Sequence, residues 1–293
     1  MGGQGADEVV GRYLRTQVEA LVALAPEVRS DAPDAVHRMR VAARRLRSAI
    51  ACFQPLLERR RTEPVRADLW MLGKALAPVR DSEVLLAYFA AVDPGPAVLL
   101  VRESLRRDHA LAHGRLVTEM DGGRHEALVR SLAQMLDPSP FRPGATAPAD
   151  LALPPLLERA EARVRLAAAL AVAADESARD DHLHEVRKLS KRARYAADAA
   201  APAVGPRAEA LAAAMSATQD ALGQHQDSVQ AIRVLQSVRA TLPGRHPDVD
   251  PAAFDRLLDV ERARGKAALA AYDRLGPGSP VGRSDGPVSR GSG

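Results

Sequence analysis

The chain has 293 residues, 41 Lys and Arg against 37 Asp and Glu, a net charge of +4, one cysteine, and only four Tyr, four Phe and one Trp. That length can bury a substantial core, a single Cys52 excludes an internal disulfide, and no apolar run approaches the roughly 18 residues needed to span a membrane. Abundant alanine, with prolines gathered between apolar stretches, predicts an all-α protein packed through small side chains.

The segment Met-Gly-Gly-Gln-Gly-Ala-Asp-Glu lacks the basic and apolar regions of a signal peptide, so a cytoplasmic location is expected. Helical spacing then runs from Val9 to about Ala25 and stops at Pro26. Ser30-Asp31-Ala32-Pro33-Asp34 is a helix-start signal for a segment from about Asp34 to Arg60, with Pro55 kinking or ending it. Shorter helices are predicted at Pro64 to Ala77 and Asp81 to Val92, divided at Pro78, then at Ala97 to Glu119 and Arg124 to Leu136. Residues 137–150 hold four prolines and no periodicity, which reads as a linker. Further helices follow at Pro154 to Ala173, Ser177 to Ala201, Pro206 to about Leu242, and Pro251 to Leu275. Residues 276–293 are rich in Gly, Pro, Ser and Arg and are expected to be disordered.

One pattern occurs twice. His37-x-x-Arg40-Val41-x-x-Arg44-Arg45-x-Arg47 returns as His184-x-x-Arg187-Lys188-x-x-Lys191-Arg192-x-Arg194, each pair 147 positions apart. Leu76-Ala77-x-x-x-Asp81-Ser82 returns as Leu222-Gly223-x-x-x-Asp227-Ser228, 146 positions apart. The expected organisation is therefore an internal duplication, with one half at about 6–136, a linker at 137–150 and a second half at about 151–275. Residues 37–47 contribute five arginines and no acid, and 184–195 contribute five cations against Glu185. The remainder is net acidic, so positive charge is concentrated on two short segments.

On a helical wheel His37, Arg40, Arg44 and Arg47 share one face, opposite an apolar stripe of Met39, Ala43, Leu46, Ile50 and Phe53. His184, Arg187, Lys191 and Arg194 repeat the arrangement, while Arg45 and Arg192 flank the other edge. Like charges one turn apart repel by a few tenths of a kcal/mol each. A solvated face, or internal pairing with Asp81 and Asp227, would account for one such run. Its recurrence in both halves favours a shared anion site. Arginine suits phosphate because its planar guanidinium donates two parallel hydrogen bonds. Charges spaced by a helical turn match a ligand with repeating charge, such as inorganic polyphosphate or nucleic acid. The shortage of aromatics disfavours stacking on single strands, and no zinc-finger spacing or clear helix-turn-helix is present.

These paired His-x-x-Arg helices, with Phe53, Tyr195 and the two Leu-(Ala/Gly)-x-x-x-Asp segments, resemble the CHAD family, the conserved histidine α-helical domain. The resemblance covers nearly all of residues 6–275. It implies two helical bundles related by a pseudo-twofold axis, a central basic groove, and binding of inorganic polyphosphate, with some members on polyphosphate or polyhydroxyalkanoate granules. By position it implies Arg40, Arg44, Arg47, Arg187, Lys191 and Arg194 as phosphate ligands. His37 and His184 sit at the centre of each motif, and Arg45, Lys188 and Arg192 are secondary contacts. Many relatives carry a triphosphate-tunnel domain whose Glu-x-Glu-x-Lys strand is absent here, so a stand-alone module without triphosphate hydrolysis is expected.

Other chemistry is weakly supported. His37 and His184 could act as acid or base, but a surrounding cationic cluster should depress their protonation, which favours hydrogen-bonding roles. Asp81 and Asp227 are expected to orient motif arginines through salt bridges. Asp108-His109-x-x-x-His113 has helical metal-ligand spacing but no counterpart in the second half, and reads as a surface pair. No P-loop, Gly-x-Gly-x-x-Gly or Gly-x-Ser-x-Gly occurs. The expectation is a polyphosphate-binding protein, not an enzyme, with no metal or cofactor. Its rivals are a phosphotransfer or phosphohydrolase enzyme using the histidines, and a nucleic-acid or granule-coat protein.

Overall fold

Residues 4–246 and 248–275 are described by a computed structural model, and they form helices joined by short connections. In chain order these are α1 (Ala6–Ala23), α2 (Ala25–Arg29), α3 (Ala35–Cys52), α4 (Arg59–Ala90), α5 (Pro96–Asp121), α6 (Arg124–Leu136), α7 (Ala149–Ala152), α8 (Pro154–Ala173), α9 (Glu176–Val204), α10 (Pro206–Ala240), α11 (Leu242–Arg245) and α12 (Pro251–Leu275). The tail expected at 276–293 lies outside the described residues.

Prolines gave the largest departures from the expected boundaries. The two helices divided at Pro78 are one continuous α4 with Pro64 and Pro78 inside it. Proline in a helix interior loses a hydrogen bond and costs about 3 kcal/mol. Here Leu69, Leu72, Leu76, Val79 and Leu85 are all buried and carry one apolar face across the proline without a slip in register. Burial of several such side chains, at about 1.5–3 kcal/mol each, exceeds that cost. Pro202 is likewise accommodated inside α9, which stops at Gly205 with a positive φ of 67°. Pro26 does not end a helix but lies in the first turn of α2, where its missing N–H has no partner to lose. The basic helix α3 ends at Cys52, before Pro55, which falls in the 3-10 turn Gln54–Leu56.

Residues 137–150 form a strap pinned to the first half. Glu58 N donates to Pro140 O at 2.8 Å, Arg142 N to Leu56 O at 2.9 Å, Ala6 N to Ala147 O at 2.9 Å, and Arg61 Nη1 to Ser139 O at 2.7 Å. Backbone without periodicity is held here by point hydrogen bonds rather than by a buried stripe.

The two sequence halves share their cores. The main core joins Leu14, Met39, Leu46, Leu69 and Leu76 of the first half to Val186, Ala193, Ala197 and Leu222 of the second. A smaller core, remote in sequence, packs Phe89, Val98 and Val101 of α4 and α5 on Leu235, Phe254 and Leu258 of α10 and α12. Within the main core α3 packs against α9, with α4 beside α3 and α10 beside α9. The interior face of α9 is largely alanine: Ala193, Ala196, Ala197, Ala199 and Ala200 are at most 2% exposed, which lets neighbouring backbones approach closely. The serines of both Asp-Ser motifs are buried and satisfied locally. Ser82 Oγ donates to Pro78 O at 2.7 Å and Ser228 Oγ to His225 O at 2.8 Å. A Cβ on Gly265 of α12 would lie 2.7 Å from Ser228 Oγ, so a larger residue there would have to displace that hydroxyl from its bond to His225 O.

Candidate anion-binding site

Packing α3 on α9 brings Arg40 and Arg44 within electrostatic reach of Arg187 and Lys191, and Arg47 within reach of Arg192. The flanking helices approach these side chains at two glycines, where a Cβ would still be in ordinary contact. Arg40 Nη1 donates to Gly73 O at 2.8 Å, and Arg47 Nη1 passes 3.8 Å from the position of a Cβ on Gly73. In the second half Arg187 Nη2 passes 3.7 Å from the position of a Cβ on Gly223. The result is a cluster of cations where α3 packs on α9.

Among the described residues none of Arg40, Arg44, Arg47, Arg187 and Lys191 forms an ion pair. The Nε atoms of Arg44, Arg47 and Arg187 are buried without a hydrogen-bond partner, and buried donors left unpaired cost on the order of 1–3 kcal/mol each. Burial, then the neighbouring guanidinium groups, pushes Arg40 and Arg47 below the ordinary arginine range. Burial pulls Lys191 down to about 7, assisted by Arg187, Arg44 and Arg40 and opposed by Asp227. A multivalent anion beside these side chains would offset their mutual repulsion.

His37 and His184 border the cluster. Burial lowers both, with Arg80 and Arg44 adding to the effect at His37, and Lys188, Arg187 and Lys191 at His184. The depressed protonation expected of the motif histidines is present. Asp81 and Asp227 lie in the field of Arg40 and Arg187, and they face each other closely enough that burial and then Asp227 help raise the Asp81 carboxyl. Neither carboxylate forms an ion pair among the described residues. The orienting salt bridges expected of them are therefore replaced by a looser electrostatic contact, and Gly73 O takes the role of fixing Arg40.

Four other motif cations point elsewhere. Lys188 pairs with Glu185 at 2.5 Å on the exposed side of α9. Arg45 lies over the Tyr195 ring, 5.8 Å from its centroid, on the flank that holds Tyr13. Arg194 turns toward Gln219 Oε1 at 3.5 Å and the Tyr195 ring at 5.9 Å. Arg192 leaves the cluster beside Cys52, whose Sγ contacts Arg192 O at 3.7 Å and whose thiol is pushed up to about 11 by burial. Arg80, which sequence reading passed over, pairs with Glu83 at 3.0 Å and Asp34 at 3.8 Å and is the main charged neighbour of His37. Its position immediately before Asp81 in the repeated segment was the available signal.

The His109 and His113 pair is a clasp rather than a surface pair. His109 Nε2 lies 2.9 Å from Asp31 Oδ2, His113 Nε2 lies 2.8 Å from Val28 O, and the rings stack at 6.3 Å, tying α5 to the α2–α3 turn. Among the described residues no cluster of three or more His, Cys, Asp or Glu suits a metal ion, and no helix is long and apolar enough to cross a membrane.

Fold and site define an all-α protein whose two repeated basic helices pack against each other. The CHAD domain model matches residues 12–236, and the chain belongs to the CHAD family. It is 31% identical over 290 residues to uncharacterized proteins of two Mycobacterium tuberculosis strains, covering 93% of this chain and 55% of each relative. The chain thus spans about half the length of the curated relatives it matches. Among solved structures, the CHAD domain from the plant Ricinus communis superposes with a TM-score of 0.75 at 23% identity, covering 95% of this chain and 93% of that one. PptA from Streptomyces chartreusis superposes with a TM-score of 0.72 at 23% identity, covering 93% and 99%. Likeness at that identity establishes the shared fold.

Proposed function

We propose that this protein binds inorganic polyphosphate in the α3–α9 trough and does so without catalysis. The observation that carries the reading is the convergence of Arg40, Arg44, Arg47, Arg187 and Lys191 with buried Nε donors left unpartnered. A chain of phosphates supplies an acceptor at every unit and needs no base-specific contact, which suits a site built from cations and backbone rather than from aromatic platforms. Membership of the CHAD family supports the same ligand. Association with polyphosphate granules would follow from that affinity.

The binding-only reading is supported by the chemistry around the histidines. Among the described residues neither forms an ion pair with a carboxylate in the manner of an oriented general base. Their neighbours are mainly cations that disfavour the protonated form. Incubating the protein with long-chain polyphosphate and Mg²⁺ tests it. The expected result is saturable binding with no orthophosphate release above a His37→Ala, His184→Ala control, and release above that control overturns it. Displacement of polyphosphate by duplex DNA or RNA at equal phosphate concentration would assign the trough to nucleic acid instead.

A further inference from the structure

The two flanks of the trough, related by the 147-residue offset, are built differently. On the first, α1 contributes Tyr13, α3 contributes Arg45, and α9 contributes Tyr195 and Asp198. Tyr195 is 5% exposed, burial pushes the Tyr13 phenol and the Asp198 carboxyl up, and Asp198 lies in the field of Arg194 and Arg45. On that flank two tyrosines pack beside Arg45, and the acid Asp198 lies in its field. On the second, the residues at the matching positions are Ala160, Arg192, Ser48 and Ala51. Two tyrosines and an aspartate have been exchanged for alanine, serine and alanine while the arginine is kept.

Beside Arg192 lies a cavity of about 490 Å³. Its charged lining consists of Arg59, Arg66, Arg159, Arg163 and Arg192 with one acid, Glu63. Glu63 is taken by Arg66, whose Nε lies 3.0 Å from Glu63 Oε2. Among the described residues the side chains of Arg59, Arg159, Arg163 and Arg192 form neither an ion pair nor a hydrogen bond. Gln54 Nε2, also in the lining, is a buried donor without a partner. The rest of the wall is apolar, with Pro55, Leu156 and Leu189 among its residues.

We infer that this cavity is a second ligand site and that it takes a nucleoside di- or triphosphate. Its volume falls within the range of small-molecule sites, about 300–1,000 Å³. Four unpaired guanidinium groups call for a multiply charged phosphate group. An inorganic oligophosphate would satisfy them but leave the apolar wall bare, whereas a nucleotide places its base and sugar there and its phosphates on the arginines. Arg47 lies between the two sites: Arg192 and Arg66 are its nearest charged influences, followed by Arg44 and Arg40 of the trough. A nucleotide held by Arg192 therefore relieves repulsion at the end of the trough.

Titration calorimetry of the full chain with ATP, ADP, inorganic triphosphate and long-chain polyphosphate tests the inference. ATP or ADP is expected to bind at one equivalent and more tightly than triphosphate. Ala160→Tyr places in the cavity the side chain found at Tyr13, and the double change Arg159→Ala with Arg163→Ala removes two exposed rim cations without touching the core. Each should weaken nucleotide binding by about tenfold or more, the scale of losing one or two charge-assisted contacts, and each should leave long-chain polyphosphate affinity within about twofold. The double variant decides if Ala160→Tyr fails to fold. Absence of nucleotide binding at millimolar concentration, triphosphate binding as tightly as ATP, or nucleotide affinity unchanged in the double variant would each overturn the inference. Loss of nucleotide binding on changing Arg40 and Arg44 with both rim arginines intact would place the nucleotide in the trough. Polyphosphate binding is read separately in the same titrations, so its failure would not be mistaken for failure of the nucleotide site.

Discussion

The α3 and α9 faces of the trough start from one motif and differ in how their charge is held. On α3 the cations are all arginine, and Arg40 is anchored to a carbonyl of α4. On α9 the position matching Arg44 is Lys191, the most strongly perturbed cation of the cluster, brought down to about 7 by burial and by Arg187, Arg44 and Arg40. Guanidinium keeps its charge when desolvated, whereas a buried ammonium gives its proton up. One side of the trough is therefore permanently charged, while on the other Arg187 keeps its charge and Lys191 holds it conditionally.

Removing the permanent side should have the largest effect. Arg40, Arg44 and Arg47 changed together to Ala are expected to reduce long-chain polyphosphate affinity by about 100-fold or more, on the basis of roughly 1 kcal/mol or more for each charge-assisted contact. Near wild-type affinity and salt dependence in that variant, with helicity retained by circular dichroism, would rule out a shared site. Single changes should be milder because a flexible polymer re-registers. Arg44→Ala and Lys191→Ala are each expected to cost about fivefold, on the order of 1 kcal/mol, and to lower the salt slope by something under about one unit. Arg130→Ala on exposed α6 should do neither.

The conditional side predicts a pH dependence. Between about pH 7 and the ordinary lysine range, free Lys191 is largely neutral, and a bound polyanion restores its proton, so binding takes up protons in that window. Affinity should fall as pH rises from 6.5 to 9, and Lys191→Arg should flatten the curve. The linkage with folding has the opposite sign. The unfolded chain holds the lysine proton more tightly, so this group's contribution to the stability of the free protein increases as pH rises through the same window. Thermal melts with and without polyphosphate should therefore converge at high pH.

The smallest effect separates two views of the acids. If Asp227 oriented an arginine through a salt bridge, Asp227→Asn would weaken polyphosphate binding. Because it forms no such pair and only opposes bound phosphate, affinity is expected to hold or rise by up to about threefold, read by the same titration at fixed salt; a fall would restore the orienting role.

The residues that make the site were legible because they obey a period. The spacing of His37, Arg40, Arg44 and Arg47 places them on one face whatever the helix packs against, and the second copy repeats the spacing. What that period could not say is where each motif side chain, inside or outside the predicted row, would find its partner. Lys188 and Arg194 belong to the same motif, but one finds Glu185 within a helical turn and the other finds Gln219, a residue 25 positions away. Helix ends fared less well where proline was used as punctuation. The cost of Pro78 is local and readable, whereas the burial that offsets it depends on which helices lie across from Leu76 and Val79.

By itself the sequence determined the helical class, the duplicated basic faces and the family, since each rests on local spacing and residue type. The tertiary structure alone decided that the two faces meet, that the halves share one main core rather than owning separate ones, and that tyrosines and an acid surround Arg45 while further arginines surround Arg192. Those outcomes depend on contacts between residues more than a hundred positions apart, where one side chain's volume or charge is answered by another element. No periodicity along the chain encodes that pairing.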